Sequence, residues 1–185
     1  MEVKVKWKYK YKNLFFLGLS TFTAVFMVRN VFLREILISY LSEWSYLGAF
    51  LAGLLFPYAL TAPISASIFI LISKFVNFLI ASLLGALGAF VGDYLIFKFV
   101  KHHLSKEIDE ILSKGRIKFK EVMVSEKFRK IVPVIAGLII ASPLPDEIGI
   151  ALLAMSEFET KKFFYLSYSL HFFGILSLIL FGKII

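Results

Sequence analysis

The sequence predicts an all-α polytopic membrane protein. Three spanning helices and two opposed re-entrant hairpins form an inverted repeat, with amphipathic helices on the membrane surface. Three observations carry this. Hydrophobic residues make up 59% of the 185 and charged ones only 18%, and the mean hydropathy is +0.82; a soluble domain is nearer half apolar and a quarter charged. Long uncharged runs alternate with basic clusters, the pattern of a chain that crosses a bilayer repeatedly. Two of those runs are broken by prolines into arms too short to cross. At this length one integral membrane domain over 1–185 is expected. The chain has no cysteine, which excludes disulfides, thiol catalysis and Cys-based metal sites. The formal charge of +8 lies at the N-terminus and between the apolar runs. It therefore reads as a topology signal and a contact with anionic lipid, not as a nucleic-acid surface.

Residues 1–12 alternate lysine with apolar or aromatic residues, which suits the membrane interface, with Trp7, Tyr9 and Tyr11 at head-group level. A basic flank before an apolar run imitates a signal peptide, but Arg29 and Arg34 follow where a small-residue cleavage site would stand. Residues 13–33 are therefore read as a retained helix. The stretch 45–73 carries no charge from Tyr46 to Ser73 and holds Pro57, Thr61 and Pro63 near its centre. Its arm Tyr46–Phe56 reaches about 16 Å, and Ile64–Ser73 is similar, against a hydrocarbon core of about 30 Å. Residues 74–98 read as a full span between Lys74 and Lys98. Residues 101–127 form a basic amphipathic segment, with Leu104, Ile108, Ile111 and Leu112 at helical spacing, a stop at Gly115 and a second start near Ser125. The adjacent His102 and His103 do not share a helix face and read as interfacial, not as metal ligands. Residues 128–156 repeat the broken pattern around Pro143 and Pro145, with arms of about 20 and 15 Å. Residues 161–182 form the last span.

Charge decides the topology. Lysine-rich segments stay in the cytoplasm, which puts the N-terminus and 101–130 on the inside of the cell membrane. The first helix goes out and 74–98 returns, so 45–73 must enter and leave on the outer side. By the same parity 128–156 enters from the cytoplasm, since Lys161 and Lys162 read as inside. The chain also repeats: Ala52-Gly53-Leu54-Leu55 recurs as Ala136-Gly137-Leu138-Ile139. Each copy leads to a proline break, a Lys-Phe pair and a span. Opposite sidedness makes this an inverted repeat, an architecture of transporters whose half-helix ends meet near the midplane.

The acids in "ASPLPDEIGI" (Ala141–Ile150) lie in the middle of that second greasy stretch. Asp146 and Glu147 fall in the first turn of the second arm, where the helix dipole favours them. Either they only cap a broken helix or they line a polar cavity for ions, protons or a head group; ionisable groups at depth favour the second role. His171 stands about 14 Å beyond Lys162, near the expected hairpin tip, and is expected to pair with Asp146 or Glu147. Imidazole is also the side chain that changes charge near neutral pH. Asp93 follows Gly85, Gly88 and Gly92, three small residues on one helix face that permit close packing.

The segment "LGALGAFVGDYLIF" (Leu84–Phe97) resembles the Gly-Asp helix of the DedA family, the VTT-domain or SNARE-associated membrane proteins. "AGLLFPYALTAP" and "AGLIIASPLPDE" are similar to that family's two re-entrant segments, and the resemblance covers roughly residues 45 to 182. It implies opposed re-entrant hairpins and lipid translocation, as polyprenyl-phosphate flippases or phospholipid scramblases, and it carries Asp93 over as a functional acid. The chain departs from the bacterial pattern twice. The first hairpin lacks the usual acid, and Ser142–Glu147 stands where an arginine-containing element would suit a phosphate.

The function expected is a lipid flippase or scramblase of phospholipid or polyprenyl-phosphate. The alternatives are a proton- or ion-coupled solute transporter using Asp93, Asp146, Glu147 and His171, and a membrane scaffold that recruits partners through its basic loop. The expected partners are membrane lipids with anionic head groups, with protons or monovalent cations in the coupled alternative, and a homo-oligomer is compatible with either. No nucleophile–base arrangement or metal-ligand spacing is evident, so no enzyme activity, cofactor or metal is expected.

Overall fold

The computed structural model describes residues 12–101, 126–141, 145–156 and 158–185. The basic segment 1–11, most of the amphipathic segment expected over 101–127, His102, His103 and Pro143 lie outside the described residues. Every regular element among the described residues is helical.

Helices α1 (Lys12–Arg29) and α2 (Val31–Glu43) divide the single helix expected over 13–33. The axis bends by 81° between them. Asn30 is the physical reason: its backbone is extended, and its side chain accepts the Leu33 N–H at 3.1 Å. This caps a new helix start.

Helices α3 (Ser45–Leu55) and α4 (Ala62–Ile72) are the two short arms around the first proline break. At eleven residues each, they are about 16 Å long. The break leaves carbonyls at the end of α3 without helical partners. Thr61 Oγ1 donates to one of them, Leu55, at 2.6 Å. Ser65 Oγ donates to the Ala52 carbonyl at 2.5 Å and ties the arms together. Pro63 sits in the first turn of α4, where its missing N–H costs nothing.

Helix α5 (Phe78–Phe99) starts later than the span expected over 74–98. Lys74 and Phe75 lie in a turn, and Asn77 Oδ1 accepts the N–H groups of Leu79 and Ile80. Helices α6 (Glu126–Ile140) and α7 (Asp146–Met155) flank the second break, and α8 (Thr160–Ile184) closes the chain. The helices long and apolar enough to cross a membrane are α5 and α8, and the bent pair α1–α2 makes a third if it counts as one span. The outer surface agrees with a membrane protein. Phe22, Phe32, Leu138 and Phe173 each leave about two thirds of their surface exposed, while eight serines, Asp93, Asp146 and His171 are among the buried residues. Water would reverse that distribution.

Contacts along α5 fix how the pieces are arranged. Phe97 stacks on Phe163 at 4.4 Å, and Lys183 lies over Phe78, so α5 and α8 run antiparallel. At the Phe78 end, Tyr46 accepts the Asn77 N–H, while Ser73 and Ile70 lie against Gly182. The outer ends of α3 and α4 thus share one end of the α5–α8 pair. At the other end, Phe97, Val100 and Phe163 share a core with Val132 of α6 and Leu153 and Ala154 of α7. A separate core joins Ala49, Ala52, Phe69 and Ile72 to Ala81, Ala89, Ile175 and Ile179. Each short pair is therefore packed on its own half of the same two long helices.

Glycine sets how deep the first break reaches. A Cβ on Gly88 would run into the Phe50 carbonyl oxygen, one on Gly53 into Gly85, and one on Gly92 would stand 2.7 Å from the Leu54 oxygen and 3.3 Å from Pro57. Only hydrogen lets α3 lie this close to α5. Gly92 is fourteen residues beyond Phe78, so Pro57 reaches roughly 21 Å down the length of α5.

Candidate functional site

The four ionisable residues singled out in the sequence converge between the two breaks. Asp93 comes from α5, Asp146 and Glu147 from the first turn of α7, and His171 from α8. Asp93 is fully buried, its Oδ2 accepting from Ser167 Oγ at 2.6 Å and from His171 Nε2 at 2.8 Å. Ser167 and His171 are one helical turn apart on α8, so both reach the same carboxylate. The Asp146 Oδ2 atom is 3.9 Å from His171 Nε2. The ring of Phe56, at the end of α3, stands edge-on to the imidazole at 5.8 Å.

The expected pairing holds for Asp146, which lies within ion-pair distance of His171, but not for Glu147. The shorter bond of His171 is to Asp93, while Glu147 turns to the other broken pair, where its Oε1 accepts the backbone N–H of Ala59 at 3.0 Å. Ala59 lies between α3 and α4, in the break whose backbone has lost its helical partners. A carboxylate from the second break thus satisfies an amide of the first. Pro145 occupies the cap position of α7 and offers no side-chain acceptor. Asp146 and Glu147 gain from the dipole of α7 and also serve groups outside it.

Two oxygens stay open. Asp93 Oδ1 and Glu147 Oε2 are buried and have no hydrogen-bond partner among the described residues. Buried carboxylate oxygens are normally satisfied, by protein, water or an ion, so these two orphans set the site apart. Beside the cluster lies a cavity of about 660 Å³, walled by Pro57 and Pro63 of the first break, Pro145 and Asp146 of the second, and His171 and Ser177 of α8. Its rim carries exposed apolar groups such as Leu17 and Phe173.

The remaining residues singled out earlier serve the frame. Pro57 is buried against Gly92, Thr61 caps α3, and Gly85, Gly88 and Gly92 hold α3 and α4 close to α5. Sequence reasoning missed Ser167 and the Ala59 amide. Ser167 had a signal, being one turn from His171 on the same face; a backbone amide has none.

Comparison of the chain with protein-family models, with curated proteins and with solved structures gives no match. The site defines the class of protein: a helical membrane protein with a buried Asp–His–Asp cluster beside a cavity.

Proposed function

We propose that the chain is a membrane lipid translocase, a flippase or scramblase of the DedA-like class. In this reading α3–α4 and α6–α7 are re-entrant pairs that enter from opposite faces as an inverted repeat, and α1–α2, α5 and α8 supply the spans. The observation that carries the reading is the meeting of the two breaks, Glu147 on Ala59, beside a cavity with apolar walls and a charged floor. A lipid head group fits the polar floor while its tails stay against the apolar rim and the bilayer. Irregular backbone at depth is tolerated where it lines such a cavity. The motifs that resemble the family contain Asp93 and both breaks. Among the described residues no arginine or lysine pairs with the four ionisable groups. The side chains alone therefore do not favour a bare phosphate head group.

A second reading, ion-coupled solute transport, draws on the buried Asp93–His171 pair, the kind of group that relays protons in transporters. Reconstitution separates the two. Purified protein in liposomes is expected to flip labelled phospholipids with no imposed gradient. The Asp146→Asn/Glu147→Gln variant is expected to slow flipping about tenfold or more while melting within about 1 kcal/mol of the parent, because an amide can still accept the Ala59 N–H but carries no charge. Full flipping by that variant would show the two carboxylates to be structural. Solute flux that requires a gradient, without flipping, would establish the second reading instead.

A further inference from the structure

Asp93, Asp146 and His171 come from three different helices, yet each offers a ligand atom within 4.8 Å of the other two. We propose that these three side chains bind a divalent first-row metal ion at the inner end of the cavity. One imidazole nitrogen and two carboxylate oxygens, with no thiolate, form a donor set for Zn²⁺, Mn²⁺ or Co²⁺; Cu⁺ wants sulfur, and Ca²⁺ and Mg²⁺ want oxygen alone. Metal–ligand bonds of about 2.1 Å put neighbouring ligand atoms roughly 3–3.5 Å apart. The separations from His171 Nε2, 2.8 Å to Asp93 and 3.9 Å to Asp146, bracket that range; on binding, Nε2 releases to solvent the proton it donates to Asp93 and turns its lone pair to the ion, and side-chain rotation closes the site.

Three further observations point the same way. The first is charge. Two carboxylates are buried together with no lysine or arginine paired to them among the described residues, and an ion of charge +2 balances these two; buried charge left uncompensated is strongly unfavourable. The second is the orphaned Asp93 Oδ1: the side chain is 0% exposed and this oxygen has no partner among the described residues. It belongs to the carboxylate that already touches His171, and a bound cation would supply the partner it lacks. The third is support and access. Ser167 Oγ donates to Asp93 Oδ2, the kind of bond that orients a ligating carboxylate. Asp146 and His171 form part of the cavity wall, so an ion can arrive from there, and coordination positions not filled by protein face the cavity. The three ligands lie far apart in the sequence, on helices brought together only by folding, so no local spacing betrays them.

The test uses full-length, tag-free protein in detergent, stripped with a chelator, loaded with Co²⁺ and desalted. The wild type is expected to retain about one Co²⁺ per chain, with the visible absorption of a protein-bound ion, and to release it to Zn²⁺. Asp146→Asn and His171→Gln are each expected to weaken retention by about tenfold or more. Glu126→Gln, at an exposed acid remote from the cluster, is expected to keep full retention. Failure of the wild type to retain a stoichiometric ion, or equal retention by Asp146→Asn, would overturn the proposal. If His171→Gln does not fold, Asp146→Asn at the cavity wall still decides. Binding is read without lipid transport, so this proposal and the translocase reading can fail separately.

Discussion

Asp93→Ala is expected to lower the thermal stability of the purified protein more than any other single polar substitution among the described residues. The carboxylate is fully buried and accepts from both Ser167 and His171. Truncating it leaves a hydroxyl and an imidazole with no partner at that position, and opens a hole between α5 and α8. Breaking a buried pair by removing one member costs about 3–5 kcal/mol. Replacing both members with apolar groups is far milder, so Asp93→Leu/His171→Leu is expected to melt above Asp93→Ala although it carries more changes. Asp93→Asn keeps an acceptor for Ser167 and should fall between the parent and Asp93→Ala. Melting curves in one detergent rank these variants. A melting point for Asp93→Ala equal to that of the parent would mean that the pair contributes nothing to holding α5 against α8.

The second large effect is steric. Gly88→Ala is expected to cost about 3 kcal/mol, the upper end for overpacking a tight contact. The added Cβ meets the backbone carbonyl of Phe50, which cannot swing aside as a side chain could. The helix must move as a whole, and α3 carries the first break with it. The change should therefore reduce the lipid flipping proposed above as well as stability. Gly18→Ala is the matched control: a Cβ there meets nothing within 4 Å, and in the interior of α1 alanine is favoured over glycine by about 1 kcal/mol. Equal melting of the two variants would argue against close packing of α3 on α5.

Much of this architecture was legible in the sequence because prolines and charges punctuate it. The arms around both breaks fall within a few residues of where the breakers put them, and α7 begins at Asp146, directly after Pro145. The α5 and α8 spans were legible for the same reason, bounded as they are by lysines. The bend at Asn30 was not. Apolar residues continue on both sides of it, so hydropathy reads one helix where a single side-chain cap makes two. The candidate site was legible as a list of four residues but not as a set of contacts. Which acid meets His171 depends on the rotation of α8 about its axis and on how closely Gly88 and Gly92 draw α3 toward α5. Both are properties of packing, carried by no single segment. The Glu147–Ala59 bond is less legible still, since its donor is a backbone group exposed only by the break.

In the proposed topology two broken pairs enter from opposite faces and meet at one acidic centre, and sidedness tests this most directly. The chain has no cysteine of its own, so a single introduced cysteine reports without background. Lys74 and Lys161 are both exposed, at opposite ends of the α5–α8 pair. In intact cells, Lys74→Cys is expected to react with a membrane-impermeant maleimide added outside, because basic segments stay in the cytoplasm. Lys161→Cys is expected to react only after the cytoplasmic face is exposed. Labelling of both positions from the same face would contradict the opposed arrangement, and with it the meeting of the two breaks at Asp93, Asp146 and His171 within the membrane.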